Sequence, residues 1–209
     1  MTQLEELARL GVATVHEAQG KTGLVDIPLV QIVPGSRAAG RARTALCANG
    51  DNLMVHAAVA HAEPGDVLVL TMPDPVPVAL VGDLLATQAL DQGVAAILVD
   101  GAVRDVAELR ELGLPIWARF VRAQGAAKDT VGELDTPVVV GGARIEPGDV
   151  VVLDDDGAVV VVAGRVDEVA DAAREREARE HDLRARYAAG ERSYDVNDLR
   201  RLVEGQRPA

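Results

Sequence analysis

Aromatic residues are almost missing from this chain. Trp117, Phe120, Tyr187 and Tyr194 are the only four, so the core must be built from Val, Leu, Ile and Ala. So few rings cannot stack a run of bases, and a net charge of −12 repels phosphate backbones. Both facts argue against direct nucleic-acid binding. One cysteine, Cys47, allows no internal disulfide and no multi-cysteine zinc site. Lysine occurs twice, as Lys21 and Lys128, each in a Gly- or Ala-flanked polar segment and not in the apolar strand that an activated amine needs. Serine also occurs twice, and neither Ser36 nor Ser193 sits in a G-x-S-x-G setting. His16, His56, His61 and His181 show no zinc-ligand spacing, and there is neither a P-loop lysine nor a G-x-G-x-x-G. No apolar run approaches the roughly 20 residues of a membrane span, and the charged start MTQLEELARL lacks a signal core. A reducing, cytoplasmic compartment is expected.

What is present is ample apolar residue, 48% of 209, enough for one domain with an appended arm. Residues 1–165 read as a single α/β domain, and 166–209 as a charged helical arm. Gln3 to Leu10 and Val12 to Gln19 read as two short helices separated by Gly11, with Thr14 as a plausible cap of the second. Leu29 to Cys47 is strand-like, broken by Pro34-Gly35 and Gly40, and Leu53 to Ala62 is helical. The words Glu63-Pro64-Gly65-Asp66 recur as Glu146-Pro147-Gly148-Asp149, each leading into an apolar strand, as a reused turn would. Asp154 to Gly157 reads as a hairpin turn; the calcium-loop alternative lacks the ligand spacing. Val166 to Tyr187 is a long helix rich in Arg–Glu pairs three or four apart, with a thin apolar side. Such a helix is expected to lie partly over the core and partly over a neighbouring subunit. An unchanged oligomer after its removal, measured by light scattering, would count against that.

The most informative stretch is Gly82 to Glu108. Val76 to Val81 reads as a strand, Gly82-Asp83 opens a helix ending near Gln92-Gly93, and Val94 to Val99 is a second buried strand. Asp100-Gly101 reads as a turn, and Arg104-Asp105 starts the next helix, stopped by Gly113. Strand, helix and strand this closely joined make a right-handed parallel crossover. The carboxyl ends of both strands then share one edge of the sheet, where open α/β sheets bind ligands. Asp83 and the Arg104-Asp105 pair should therefore meet. Each aspartate alone reads equally well as a helix cap or a surface ion pair; their convergence favours a site.

With lysine, serine and cysteine chemistry unsupported, oxygen chemistry remains. Carboxylates and water suit Mg²⁺, which prefers octahedral oxygen ligands at about 2.0–2.1 Å. An α-keto acid could chelate such an ion, which would polarise its carbonyl. Arg104 could add positive charge at a developing oxyanion, and the N–H groups of Leu84 and Leu85 could accept a carboxylate.

The segment GDLLATQALDQGVAAILVDGAVRD resembles the RraA-like family, which includes class II 4-hydroxy-4-methyl-2-oxoglutarate / 4-carboxy-4-hydroxy-2-oxoadipate aldolases. Asp83, twenty intervening residues and Arg104-Asp105 match the family pattern, and the likeness extends to VATVHEAQGKTG, GDNLMVHAA and both EPGDV turns. The resemblance implies a layered α/β/β/α sandwich with mixed sheets, similar to a swivelling phosphohistidine domain, assembled as a homotrimer or hexamer with sites between subunits. It implies Asp105 as a direct ligand of Mg²⁺ (or Mn²⁺, Co²⁺), with Asp83 acting through water. Arg104 would contact the substrate's keto oxygen, and Gly82, Asp83, Leu84 and Leu85 would hold the pyruvyl carboxylate. Glu17 would reach a neighbouring subunit's site to help activate water, and one of Glu175, Glu177 and Glu180 could do likewise. The implied activity is cleavage of a 4-hydroxy-2-oxo acid to pyruvate, with oxaloacetate decarboxylation as a second activity. The family's other class, non-catalytic regulators that bind a ribonuclease, lacks the aspartate after the arginine.

Overall fold

In the computed structural model, which describes residues 2–205, the chain starts with a helix, α1 (Gln3–Ala18), that bends at Gly11. Thr2 and Glu5 form a reciprocal capping box at its start. Strands β1 (Val30–Gln31) and β2 (Ala38–Leu46) follow, then helix α2 (Leu53–Ala60) and strand β3 (Asp66–Thr71). Next come β4 (Ala79–Val81), α3 (Asp83–Asp91), β5 (Ala96–Val103), α4 (Val106–Leu112) and β6 (Ile116–Val121). Five short strands complete the β structure: β7 (Glu133–Leu134), β8 (Val138–Val140), β9 (Ala143–Ile145), β10 (Val150–Asp154) and β11 (Gly157–Val161). Helix α5 (Val166–Ala188) leads to two short helices, α6 (Ser193–Val196) and α7 (Leu199–Glu204).

Nine strands form one mixed sheet in the order β1-β6-β5-β3-β2-β10-β11, with β4 beside β5 and β7 beside β2; β8 and β9 pair separately. The strands β2, β3, β4, β5 and β6 pair in parallel, whereas β10 pairs antiparallel with both β2 and β11.

Alternation along the strands sends their residues into three apolar clusters. Leu68, Leu70, Ile97, Val99 and Ile116 pack against Val55, Val59, Leu85, Ala86 and Leu109 of α2, α3 and α4. Their neighbours Val67, Val69, Leu98 and Trp117 turn the other way and meet Val151, Leu153 and Ala158, with the β8–β9 pair. Val150, Val152, Val159 and Val161 face α1 and the start of α5 through Leu7, Leu10, Val12, Val15, Val169 and Ala173. Helices, sheet, sheet and helices thus follow one another, because a single sheet curls until one face encloses the middle cluster. Trp117 Nε1 donates to the Asp154 carbonyl oxygen at 2.9 Å, linking the two limbs of the curl. The mixed α/β sandwich with C-terminal helices is the fold expected.

Several local boundaries differ from expectation. Asp100-Gly101 is no turn: both lie inside β5, which carries a register shift against β6 between Val99 and Ala102. The Asp100 carboxylate stays buried there because it accepts from Arg119 at 3.0 Å. Gly40 does not interrupt β2, whose ladders to β3 and β10 run along both edges. β4 begins at Ala79 and not at Val76, since Pro77 has no N–H for a ladder. Thr14 caps nothing. Gly11, at φ 82° and ψ 166°, restarts the helix, and Asp154 Oδ2 accepts from the Val12 N–H at 2.9 Å.

The chain divides into two compact units, one ending at Ala173 and the other beginning at Arg174. The second is held by half-buried and exposed ion pairs, such as Glu180 with Arg176 and Arg184, and Arg200 with Asp195 and Glu204. Its helices α6 and α7 bury no residue. Among the described residues no helix is long and apolar enough to cross a membrane.

Candidate active site at the carboxyl ends of β4 and β5

β4 and β5 run parallel and are joined by α3, so the residues after Val81 and Val103 emerge at one edge. The Arg104 N–H donates to the Val81 carbonyl oxygen at 3.1 Å, fixing the two ends together. The Asp83 N–H then donates to Asp105 Oδ2 at 3.3 Å, and Arg104 Nε lies 3.4 Å from the same oxygen. The expected meeting of Asp83, Arg104 and Asp105 is present.

Gly82 makes this meeting possible. A Cβ there would stand 2.5 Å from Asp105 Oδ2 and 3.0 Å from Arg104 Nε, so only a hydrogen fits. Asp105 is the N-cap residue of α4, in left-handed backbone at φ 58° and ψ 44°, yet its side chain does not cap that helix. A left-handed non-glycine residue costs about 1 kcal/mol or more. Here that backbone accompanies a carboxylate turned toward Gly82 and Asp83. The capping explanation for Asp105 therefore fails.

Arg104 and Asp83 line an open cavity of about 290 Å³ together with Gly82, Leu84 and Leu85. Gly82 caps α3 without a side-chain bond, and with the Asp83 N–H turned to Asp105 the Leu84 and Leu85 N–H groups of the first turn are left for a ligand. An anion would be favoured at that helix start. The opposite lining comes from residues that sequence reasoning did not assign to a site: Asn52 and His56 of the α2 region, and Lys128 from the loop after β6. Asp51 clamps that loop. Its Oδ2 accepts from the Asp129 and Thr130 N–H groups at 2.7 and 3.0 Å, and its Oδ1 from the Leu53 N–H at 2.8 Å. Burial opposes the Asp51 charge, but these three bonds outweigh it and hold the carboxyl below the usual range. The i, i+4 spacing of Asn52, the N-cap of α2, and His56 sets the two near each other, but nothing in the sequence turns that pair toward Asp83.

Glu17 is not brought to this cavity. It lies in the last turn of α1 and pairs with Lys21 at 3.6 Å. Cys47 is buried beside Asp51. Burial first, and that negative charge second, push its thiol up to about 12, so it is no nucleophile.

A divalent cation can be tested against the donors present. Among the described residues no three His, Cys, Asp or Glu side chains converge on one point. Asp83 lines the open cavity, and Asp105, whose carboxylate accepts from the Asp83 N–H, stands next to that lining, so two carboxylate residues are on offer. Mg²⁺ is commonly held by one or two carboxylates, with water and substrate completing six oxygens. The donor set fits that ion and not a closed, all-protein zinc site.

The chain matches the RraA-like (Aldolase/RraA) family over residues 12–160. A protein from Halalkalibacterium halodurans named "Putative 4-hydroxy-4-methyl-2-oxoglutarate aldolase" is 37% identical over 139 residues, covering 66% of each chain. The match thus spans just under two thirds of that relative. Among solved structures, an uncharacterized protein from Pseudomonas syringae pv. tomato superimposes with a TM-score of 0.84 at 26% identity, covering 94% of this chain and 93% of that one. Streptomyces coelicolor RraAS2, described as an unusual member of the RNase ES inhibitor RraA family, superimposes with a TM-score of 0.76 at 31% identity, covering 87% and 95%. With the match extending from α1 through β11 and the Asp83/Arg104-Asp105 site inside it, this chain belongs to the RraA-like family.

Proposed function

We propose that the protein is a divalent-metal-dependent aldolase. It would cleave a 4-hydroxy-2-oxo acid, such as 4-hydroxy-4-methyl-2-oxoglutarate or 4-carboxy-4-hydroxy-2-oxoadipate, to pyruvate and a second keto acid. The observation that carries this reading is the contact of the Asp105 carboxylate with Arg104 and the Asp83 N–H, beside the cavity that Gly82, Asp83 and Arg104 line. Mg²⁺, Mn²⁺ or Co²⁺ held by Asp105, and by Asp83 through water, would supply Lewis-acid polarisation of the substrate's keto oxygen.

The protein's own groups account for binding and charge. The N–H groups of Leu84 and Leu85 receive the carboxylate next to the keto group. Arg104 places its guanidinium at the keto oxygen, where negative charge grows as the bond breaks. Loss of the 4-hydroxyl proton lets the C3–C4 electron pair pass to C3, giving the pyruvate enolate and releasing the second keto acid. A proton added at C3 then yields pyruvate. Glu17 would serve a neighbouring copy's site, helping a water take the hydroxyl proton. That role fits its place outside its own cavity and requires a homotrimer or hexamer. Loss of CO₂ from oxaloacetate gives the same enolate, so decarboxylation is expected as a second activity.

The likeness to RraAS2 supports a second reading, a non-catalytic regulator that binds a ribonuclease. Pyruvate release from a panel of hydroxy-keto acids and from oxaloacetate, with Mg²⁺ and with EDTA, separates the two. Release that EDTA abolishes is expected; no release from any acid would contradict the aldolase reading.

A further inference from the structure

Two buried polar atoms on one face of the α2 region have no hydrogen-bond partner among the described residues: Asn52 Oδ1 and His56 Nε2. They belong to residues four apart, on neighbouring turns, and both residues line the cavity. Buried polar groups are nearly always paired, so two orphans beside one cavity call for a ligand. Asn52 is only 7% exposed, and its orientation is set from the other end. Its Nδ2 donates to the Leu80 carbonyl oxygen at 2.9 Å, which leaves Oδ1 as an acceptor facing no donor. Burial, and then the Lys128 charge, push the His56 imidazole below the usual histidine range. The neutral ring can carry its single N–H on Nε2.

An acceptor and a donor in one cavity lining together select a ligand group. A carboxylate only accepts and would oppose Asn52 Oδ1, and an ammonium only donates. A hydroxyl does both. We propose that Asn52 Oδ1 and His56 Nε2 form a hydroxyl-binding subsite, with the ligand's O–H donating to Asn52 and accepting from His56. On the aldolase reading, on which this identification rests, the hydroxyl is the one at C4. Lys128 in the same lining supplies positive charge for an acid group carried near that hydroxyl. The subsite would then select hydroxy acids over acids of the same shape without the hydroxyl.

The test uses the full chain with Mg²⁺ and a matched pair of probes: citramalate and methylsuccinate, which differ only in a hydroxyl. Calorimetry should show citramalate binding about tenfold more tightly, the worth of a hydrogen bond that would otherwise go unmade. His56→Phe should bring that ratio to about one while methylsuccinate still binds, showing that the cavity is intact. His56→Gln, which keeps an N–H donor, should restore part of the preference. Equal or undetectable binding of both acids to the wild type overturns the subsite, and so does a preference that survives in His56→Phe. A hydroxyl preference lost in His56→Phe, in a protein that releases no pyruvate, would leave the subsite standing and remove the aldolase reading alone.

Discussion

The difference between hydrogen and methyl at position 82 decides whether Arg104 and Asp105 keep their places. The close approach in question lies under 3 Å from Asp105 Oδ2, so a Gly82→Ala side chain must push that carboxylate aside. Backbone at Gly82 is extended, so alanine meets no conformational strain there. Misplacing a reacting group by about 1 Å can cost roughly a hundredfold in rate. Gly82→Ala is therefore expected to lower kcat/KM for pyruvate release by about that factor while the thermal midpoint moves by only a few degrees. Activity within twofold of wild type would show that the contact does not matter. Asp51 acts by position alone, holding the loop that bears Lys128. Its carboxyl is depressed in the folded state, so the stability it contributes is complete above the unfolded value of about 3.9 and is lost as pH falls through the lower folded value. Urea midpoints measured downward from pH 6 should fall more steeply below about pH 4 in wild type than in Asp51→Asn. Parallel curves would refute the clamp.

At the scale of elements, a helix and a strand distant in sequence complete one another. Asp154 ends β10 and caps the second half of α1 through the Val12 N–H, while its Oδ1 accepts from Asp156 in the hairpin. Asp154→Ala should destabilise the fold by about 1–3 kcal/mol in urea unfolding, and Thr14→Ala by less than about 0.5. Equal losses would restore the local-capping account. That cap also shows what could be read in advance. The break at Gly11, the helix from Asp83 to Gln92 and the stop at Gly113 follow from residues adjacent in sequence. Asp100-Gly101 misled because those residues favour turns, while here an ion pair to Arg119 and the ladders that end at Val99 and resume at Ala102 carry β5 straight through them. α6 and α7 escaped notice because neither has an apolar face that buries a residue.

For the whole molecule, the curl of the sheet places the site without being visible in any window of sequence. Asp83, Arg104 and Asp105 were legible because the two ends of a single crossover bring them together. Asn52, His56 and Lys128 were not, because their approach depends on pairing between distant segments: the Asn52 N–H donates to Ala127, and Ala127 donates back to Gly50. The layering likewise depends on β2 pairing with β10 more than a hundred residues later, and on Trp117 reaching Asp154. The proposed aldolase activity depends on the carboxylate beside Arg104. The most direct measurement is the initial rate of pyruvate release from 4-hydroxy-4-methyl-2-oxoglutarate against Mg²⁺ concentration, for wild type and Asp105→Ala. The account predicts a saturating rise for wild type and a rate at least a hundredfold lower, without saturation, for the variant. Two superimposable curves would contradict it.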